Sequence, residues 1–416
     1  MSIETQRPVF GLARRAAPLA FLLLLWLGLG GLDWVMRFRW FQWHRSFVAG
    51  TFKPRYMGDW APLSTRTYGP SHGGDLSRLL VVPDAMERWA LDRPAGGEVR
   101  ADEFGLPNDP PTTNQYYPVV LVGDSYLVQG RAASNLPAQR LARLLGTSVY
   151  TVAHAGRGAV FALSGFVDHP HFRSAPPQTL LWCIAERDTS GYFFDSMATE
   201  VMRRVFRTNF VANVESTPRS AIYWRALAPA RLRSSLPNTS LIAQFARRKW
   251  TELRYRAFGR LNDDVLFSSA PVGGHRLLFY RPNLDALYWS PAVRDVPKMA
   301  RVAEVVQREY FQPRGIRWVI VLIPEKERVY QSVLPAGVRA RRGDVPPPVF
   351  DALESGLREA GIGVVNLLKA FAPAAARGEL LYWPDDTHWN DAGMELAAEA
   401  IRDELQQPGA ASEELP

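Results

Sequence analysis

The sequence predicts a three-layer α/β/α domain on a parallel sheet, carried behind an N-terminal membrane-spanning helix. Three observations predict it. Short continuous apolar runs rich in β-branched residues alternate with helical stretches, which is how strands buried on both faces read. Gly123-Asp124-Ser125 stands where the first of these runs ends. Residues 16–36 form an apolar stretch near the length a helix needs to cross a bilayer.

The chain has 416 residues, 47% of them apolar and 22% charged. That composition suits one large domain, or one domain with a substantial insertion, and excludes a disordered chain or a wholly embedded one. Cys183 is the single cysteine, so disulfide frameworks and multi-cysteine metal motifs are excluded. The net charge of +8 calls for an anionic partner or surface. Nucleic acid is not expected, because zinc-finger spacing, an RNP-type aromatic motif and a lysine-rich tail are all absent. The charge is local. Between Arg219 and Arg260 ten basic residues face one acid, Glu252, a surplus larger than that of the whole chain.

Residues 1–15 read as a cytoplasmic N-terminus. The anchor, residues 16–36, holds the uncharged run Ala16–Leu32 and is followed by Phe38, Trp40, Phe41 and Trp43, as at a membrane interface. A small-x-small cleavage site does not follow at the usual distance, which favours an uncleaved anchor over a signal peptide. Arg7, Arg14 and Arg15 precede the run and Arg37, Arg39 and Arg45 follow it, so charge alone leaves orientation almost balanced. The alternative is a buried core helix. Residues 37–115, rich in proline, glycine and aromatics, read as a juxtamembrane, loop-rich lead-in.

The domain is expected over residues 116–408. Strands are expected at Pro118–Val122, Ser148–Ala153, Thr179–Ala185, Ile316–Ile323 and Ile362–Leu368. Helices are expected at about 136–145, after Gly158, and at about 297–310, 326–331, 349–360 and 391–405. Residues of about 190–295 read as a basic, aromatic insertion at one edge of the sheet, and residues 409–416 as a frayed tail.

Ligands and catalysts gather at the carboxyl ends of strands in such a sheet, and Ser125 is placed there. A serine nucleophile needs a base, and the base needs an acid. Asp385-Asp386-Thr387-His388-Trp389-Asn390 supplies both just before the last helix. The bland alternative is that the two aspartates cap that helix and His388 is a surface residue. Gly-x-Ser-x-Gly is absent at Ser125, against an α/β-hydrolase elbow. His169-Pro170-His171 has no third ligand at helical spacing and reads as a solvated loop. The sequence contains neither His-Glu-x-x-His nor a P-loop, and no complete Gly-x-Gly-x-x-Gly, so neither metal nor cofactor is expected.

Together, Gly123-Asp124-Ser125 and the late Asp-x-x-His block resemble the SGNH (GDSL-type) hydrolase superfamily, over about Tyr117–Leu405 less the insertion. The resemblance implies a flavodoxin-like SGNH fold with Ser125 as nucleophile, His388 as base and an aspartate as acid. Three details are similar to the branch of the alginate O-acetyltransferases. They are Asp386-Thr387-His388-Trp389, which favours Asp386 over the Asp385 of general superfamily spacing, then Ile323–Tyr330 with Lys326 and Tyr330, then Glu186-Arg187. Two features depart from that branch or from the superfamily. The branch places Asp-x-His before the serine, and the superfamily's asparagine oxyanion donor is replaced at Glu186-Arg187. Arg187 is a candidate replacement, with a simple ion pair to Asp188 as the alternative. Gly156 matches the glycine whose N–H completes the oxyanion hole, with an ordinary strand-to-helix turn as the alternative. Lys326 and Tyr330 are expected to support the site or an acceptor groove.

The resemblance implies a membrane-anchored, periplasm-facing O-acetyltransferase acting on an extracellular or envelope polysaccharide through an acyl-serine. It also implies a multispanning inner-membrane acyltransferase partner that supplies the acetyl group. Two other functions share the fold: a carbohydrate esterase passing the acetyl to water, and a non-catalytic scaffold of a polysaccharide complex.

Overall fold

The computed structural model describes residues 18, 20–32, 57–109, 115–156, 158–206, 241–288, 291–338 and 349–407. Contacts divide the chain into two compact units, Met1–Arg55 with Ser216–Phe258, and Tyr56–Glu215 with Gly259–Pro416.

The second unit is built on a five-stranded sheet. Its strands are β1 (Val119–Gly123), β2 (Val149–Ala153), β3 (Thr179–Ala185), β4 (Arg317–Ile323) and β5 (Gly363–Asn366). They lie side by side in the order β5-β4-β3-β1-β2, and every pairing is parallel. This is the doubly wound order of flavodoxin-like sheets, whose crevice lies between β1 and β3 where the winding reverses.

Alternate residues of each strand point to opposite faces, so each strand feeds two cores. Val122, Trp182 and Leu322 face helices α2 (Ala159–Asp168), α3 (Gly191–Phe206), α4 (Val296–Val306) and α5 (Val349–Glu359). Leu121, Leu181 and Val321 face α1 (Pro137–Leu145) and α6 (Asp391–Gln406), together with the helix Leu368–Ala376. Each Leu, Val or Phe buried completely in these layers contributes about 1.5–3 kcal/mol. Cys183 belongs to the second core, where burial pushes its thiol far above the usual range and makes it unreactive.

Local sequence explains the helix ends. Pro137 opens α1, and Gly146 closes it at φ +64. The Asn390 side chain accepts a hydrogen bond from Gly393 N at 3.0 Å and starts α6.

Several sequence expectations are redrawn. Gly191–Phe206 lies inside the stretch expected to be an insertion, yet Phe194, Met197 and Val201 place this helix in the first core. Leu277, Phe279, Leu284 and Leu287 likewise enter the second. The stretch that groups apart from the domain is the narrower Ser216–Phe258. The lead-in carries structure too. Within it Thr65–Thr67 pairs with Glu98–Arg100, Ser71–His72 pairs with Asp92–Arg93, and Trp60, Val99 and Ala101 pack on Leu136. Its apolar residues follow no sustained strand or helix period, which hid this from the sequence reading.

The first unit is seen in two helical pieces. Residues 20–32, part of the expected anchor, are helical, with Phe21, Leu22, Leu23, Leu24 and Trp26 exposed. The rest of the anchor lies outside the described residues. Among the described residues no helix is long and apolar enough to cross a membrane. The second piece, Leu241–Phe258, exposes Phe245, Trp250, Leu253 and Phe258 beside its arginines and lysine.

Candidate active site

Ser125 opens a single turn of 3-10 helix, Ser125–Val128, directly after β1. Asp124 caps that turn: its carboxylate accepts a hydrogen bond from Tyr126 N at 3.1 Å. Gly123 lets the strand end close to its neighbour, since a Cβ there would meet Leu127 Cδ1 at 2.9 Å and Cys183 O at 3.0 Å. The turn thus offers the serine at the mouth of the β1–β3 crevice.

The loop Trp383–His388 reaches the same place from the other side. The His388 Nε2 atom lies 2.8 Å from Ser125 Oγ, and His388 Nδ1 lies 2.8 Å from Asp386 Oδ1. Asp386 Oδ1 also accepts from His388 N at 3.1 Å, which sets the short turn that brings acid and base together. The two loops are tied by Trp389, whose indole N–H donates to Tyr126 O at 3.0 Å.

Asp385 takes a different part. Its carboxylate accepts from Gly74 N at 2.7 Å, from Leu91 N at 3.0 Å and from Arg93 Nη2 at 3.0 Å, and it is buried. It anchors the loop to the lead-in and makes no contact with His388 among the described hydrogen bonds. Arg93 Nη2 also reaches Asp386 Oδ2 at 3.2 Å, so one guanidinium bridges both acids. Its Cζ sits 4.8 Å from the Trp383 ring centre.

Electrostatics follow from this packing. Burial opposes charge on Asp386, but the hydrogen bond and charge of His388, with Arg93 behind, outweigh it and hold the carboxyl well below the usual range. Burial also disfavours an imidazolium, yet the Asp386 hydrogen bond and the charges of Asp386, Asp75 and Asp124 raise His388 above its ordinary value. A base that holds its proton more tightly is also a stronger acceptor for the serine proton.

Lys326 is fully buried, and its Nζ donates to the carbonyls of Trp383, Pro384 and Asp386 at 2.8, 2.8 and 3.0 Å. It therefore shapes the loop that carries Asp386 and His388, while burial draws its pKa down to about 8. Tyr330 acts one step further back. Its hydroxyl donates to Glu379 O at 2.9 Å and accepts from Leu381 N at 2.7 Å, bracing the chain that leads into the loop.

Arg187 lies behind the serine turn, donating to Glu325 Oε1 at 2.7 Å and Asp124 Oδ2 at 3.1 Å. These partners, not Asp188, are its ion pairs among the described residues. Gly156 is exposed at φ +73 in the turn after β2, and no described hydrogen bond joins it to Ser125 or His388. His169 is not in a solvated loop. It is buried with Nε2 at 3.1 Å from the Tyr150 hydroxyl, which donates to Asp102 at 2.5 Å, and burial draws its pKa down to about 3. Among the described residues Asp75, Asp386 and His388 form the one cluster with metal-ligand spacing. Both nitrogens of His388 are already engaged by Asp386 and Ser125, which suits proton transfer rather than an ion.

A cleft of about 910 Å³ opens beside His388 and Asp386. Its walls include Trp60, Tyr68 and Trp383 with Arg66, Arg78 and Arg131. The Arg66 guanidinium lies 4.4 Å from the Trp60 ring centre. Aromatic faces with cations beside them suit sugar rings bearing negative charge.

Sequence reasoning missed Asp75 and Arg93. Two adjacent acids, one of them buried, demand a counter-charge, and that demand was the available signal. Nothing in spacing picks Arg93 out of 49 basic residues.

Comparison with known proteins bears on the same residues. The family described as SGNH hydrolase-like domain, acetyltransferase AlgX, matches residues 61–186 and 284–416. A Pseudomonas putida protein named "Probable alginate O-acetylase AlgJ" is 27% identical over 100 residues, 24% of this chain and 25% of its own. One of the same name from Azotobacter vinelandii is 30% identical over 122 residues, 29% of this chain and 31% of its own. The chain therefore spans under a third of the length of these relatives. The solved structure of a Slackia heliotrinireducens protein titled as an SGNH hydrolase covers 70% of this chain and 100% of its own, at 11% identity. The TM-score of that likeness is 0.29. The family match takes in β1 to β3 with Ser125, and β4 to α6 with His388 and Asp386. On that match the chain belongs to the SGNH hydrolase-like family of acetyltransferase AlgX.

Proposed function

We propose that this chain is an O-acetyltransferase that moves an acetyl group onto a polysaccharide hydroxyl through Ser125. One observation carries the reading: His388 bridges Ser125 Oγ and Asp386 Oδ1, at 2.8 Å to each, beside a cleft walled by arginine and tryptophan.

The steps follow from that geometry. Ser125 Oγ attacks the acetyl carbonyl of the donor while His388 Nε2 takes the serine proton. The tetrahedral intermediate collapses, the donor's leaving group departs with the proton from His388, and acetyl-Ser125 remains. A sugar hydroxyl in the cleft then attacks the acyl carbon and gives its proton to His388, which returns it to Ser125 Oγ. Asp386 keeps the imidazole turned toward the serine and stabilises each imidazolium. The cations and aromatic rings of the cleft favour an acidic sugar chain, in keeping with the names of the two relatives.

The reading places the chain at the inner membrane through residues 16–36, with the domain in the periplasm. The donor acetyl then comes from a multispanning acyltransferase partner, and the basic, aromatic helix Leu241–Phe258 is the surface offered to that partner. Support for this placement is the apolar run, its aromatic flank and the exposed Phe245, Trp250 and Phe258.

The test uses the purified full chain and Ser125→Ala. Acetyl release from an activated acetyl ester is followed with and without acidic oligosaccharides, and the sugars are then weighed. Serine-dependent acetylation of sugar is the expected result. Serine-dependent release to water alone, with acceptor present, would replace the transferase by an esterase. Equal behaviour of the two proteins would leave the scaffold reading in its place.

A further inference from the structure

Two carboxylates, not one, face the Nδ1 side of His388. Asp386 Oδ1 lies at 2.8 Å and Asp75 Oδ2 at 3.8 Å. Asp75 opens the short helix Asp75–Leu79 of the lead-in and is held against the catalytic loop from both sides. Its Oδ1 accepts from Thr387 N at 2.8 Å, its Oδ2 accepts from the Thr387 hydroxyl, and its own N–H donates to Asp386 Oδ2 at 3.2 Å. The residue between acid and base thus fixes a second acid beside them.

Two like charges this close repel, and the structure answers on one side only. Arg93 lies on Asp386 Oδ2 and on Asp385, away from the imidazole. The remaining potential at Nδ1 is negative, so the two carboxylates attract the ring more strongly once His388 takes a proton. Burial and the Asp386 charge raise the Asp75 carboxyl, while Thr387 and His388 draw it down. The other groups facing His388 are Ser125 at Nε2, the Tyr126 ring at 5.2 Å between ring centres, and Asp124 across the serine turn. Lys326 meets the loop through the carbonyls of Trp383, Pro384 and Asp386.

We propose that Asp75 is a positioning residue for His388: a second carboxylate that stabilises the imidazolium alongside Asp386 and partly replaces it when Asp386 is lost. This rests on the acyl-transfer reading of the site. It also gives the lead-in a role in the chemistry, since Asp75 and Arg93 both come from it.

The experiment uses the full chain as wild type, Asp75→Asn, Asp75→Ser, Thr387→Val, Asp386→Asn and the Asp75→Asn/Asp386→Asn double variant. The imidazole of His388 is titrated by NMR on histidine-labelled protein, assigned with His388→Gln among the seven histidines. The rising limb of kcat/KM on an activated acetyl ester is measured in parallel. Removing the Asp75 charge is expected to lower the His388 midpoint and move the limb to lower pH by the same amount in both Asp75 variants. The double variant is expected to lose about tenfold more activity than Asp386→Asn alone. Thr387→Val removes the hydroxyl contact but no charge, and is expected to leave the midpoint in place. An unmoved midpoint in Asp75→Asn and Asp75→Ser would overturn the proposal. An equal displacement in Thr387→Val would reduce Asp75 to a loop contact and overturn it too. If wild type shows no serine-dependent turnover, the acyl-transfer reading fails, while the titration still decides the electrostatic role of Asp75.

Discussion

Asp385 gives its oxygens to the Gly74 and Leu91 amides and to Arg93, whereas Asp386 turns one oxygen to His388 Nδ1. Their substitutions should therefore fail in different ways. Asp386→Asn is expected to keep its fold and lose about 10³–10⁴-fold in kcat, because the histidine loses its partner. Asp385→Asn breaks a buried pair and is expected to cost about 3–5 kcal/mol, read as a lower denaturation midpoint, with a much smaller loss of turnover per folded molecule. The raised His388 sets a pH signature. The free enzyme is active with a neutral base, so the rising limb of kcat/KM should lie above the ordinary imidazole value of about 6.5. Asp386→Asn should bring that limb down. Ser125 and His388 were legible because each sits in a short local pattern next to a predicted strand or helix. The choice between Asp385 and Asp386 needed the three-dimensional partners, and Arg93 and Asp75 enter the site only through long-range packing.

At the scale of elements, the loop Trp383–His388 depends on one buried amine. Lys326→Met keeps the apolar stem but leaves three carbonyls without their donor. Such unmade bonds cost about 1–3 kcal/mol each if the carbonyls stay buried. The expected outcome is a lower melting temperature together with a fall of at least about tenfold in kcat, because the loop no longer holds His388 in place. Thermal unfolding and kinetics on the same preparation check both. The five strands were readable because burial on both faces leaves an unbroken apolar run. The helix Leu368–Ala376 was not, since Pro373 inside it reads as a break. Gly191–Phe206 was also missed, because its amphipathic pattern merges into the basic stretch that follows.

For the whole molecule, the sheet order places the β1–β3 crevice, the serine turn and the Asp-Thr-His loop at one end of the sheet, with the lead-in as their wall. The α/β class with its parallel sheet was legible from the alternation of apolar runs and helices. The wall was not, because its apolar residues keep no sustained period and its links to the catalytic loop are long-range hydrogen bonds and the buried Arg93. The arginines of the cleft bear on the acceptor. Arg66→Ala with Arg78→Ala is expected to cut kcat/KM toward an acidic oligosaccharide about fivefold more than toward a neutral one, with added salt narrowing the difference.

The central claim is that Ser125, activated by His388 and Asp386, carries the acetyl group. Rapid quenching of the full chain with an activated acetyl ester, followed by mass spectrometry of its peptides, tests this most directly. The account predicts acetyl on the Ser125 peptide within the first turnover, its disappearance when an acidic oligosaccharide is added, and none at that position in Ser125→Ala or early in His388→Gln. Full turnover with no acetyl ever found on Ser125, or an undiminished rate in Ser125→Ala, would contradict it.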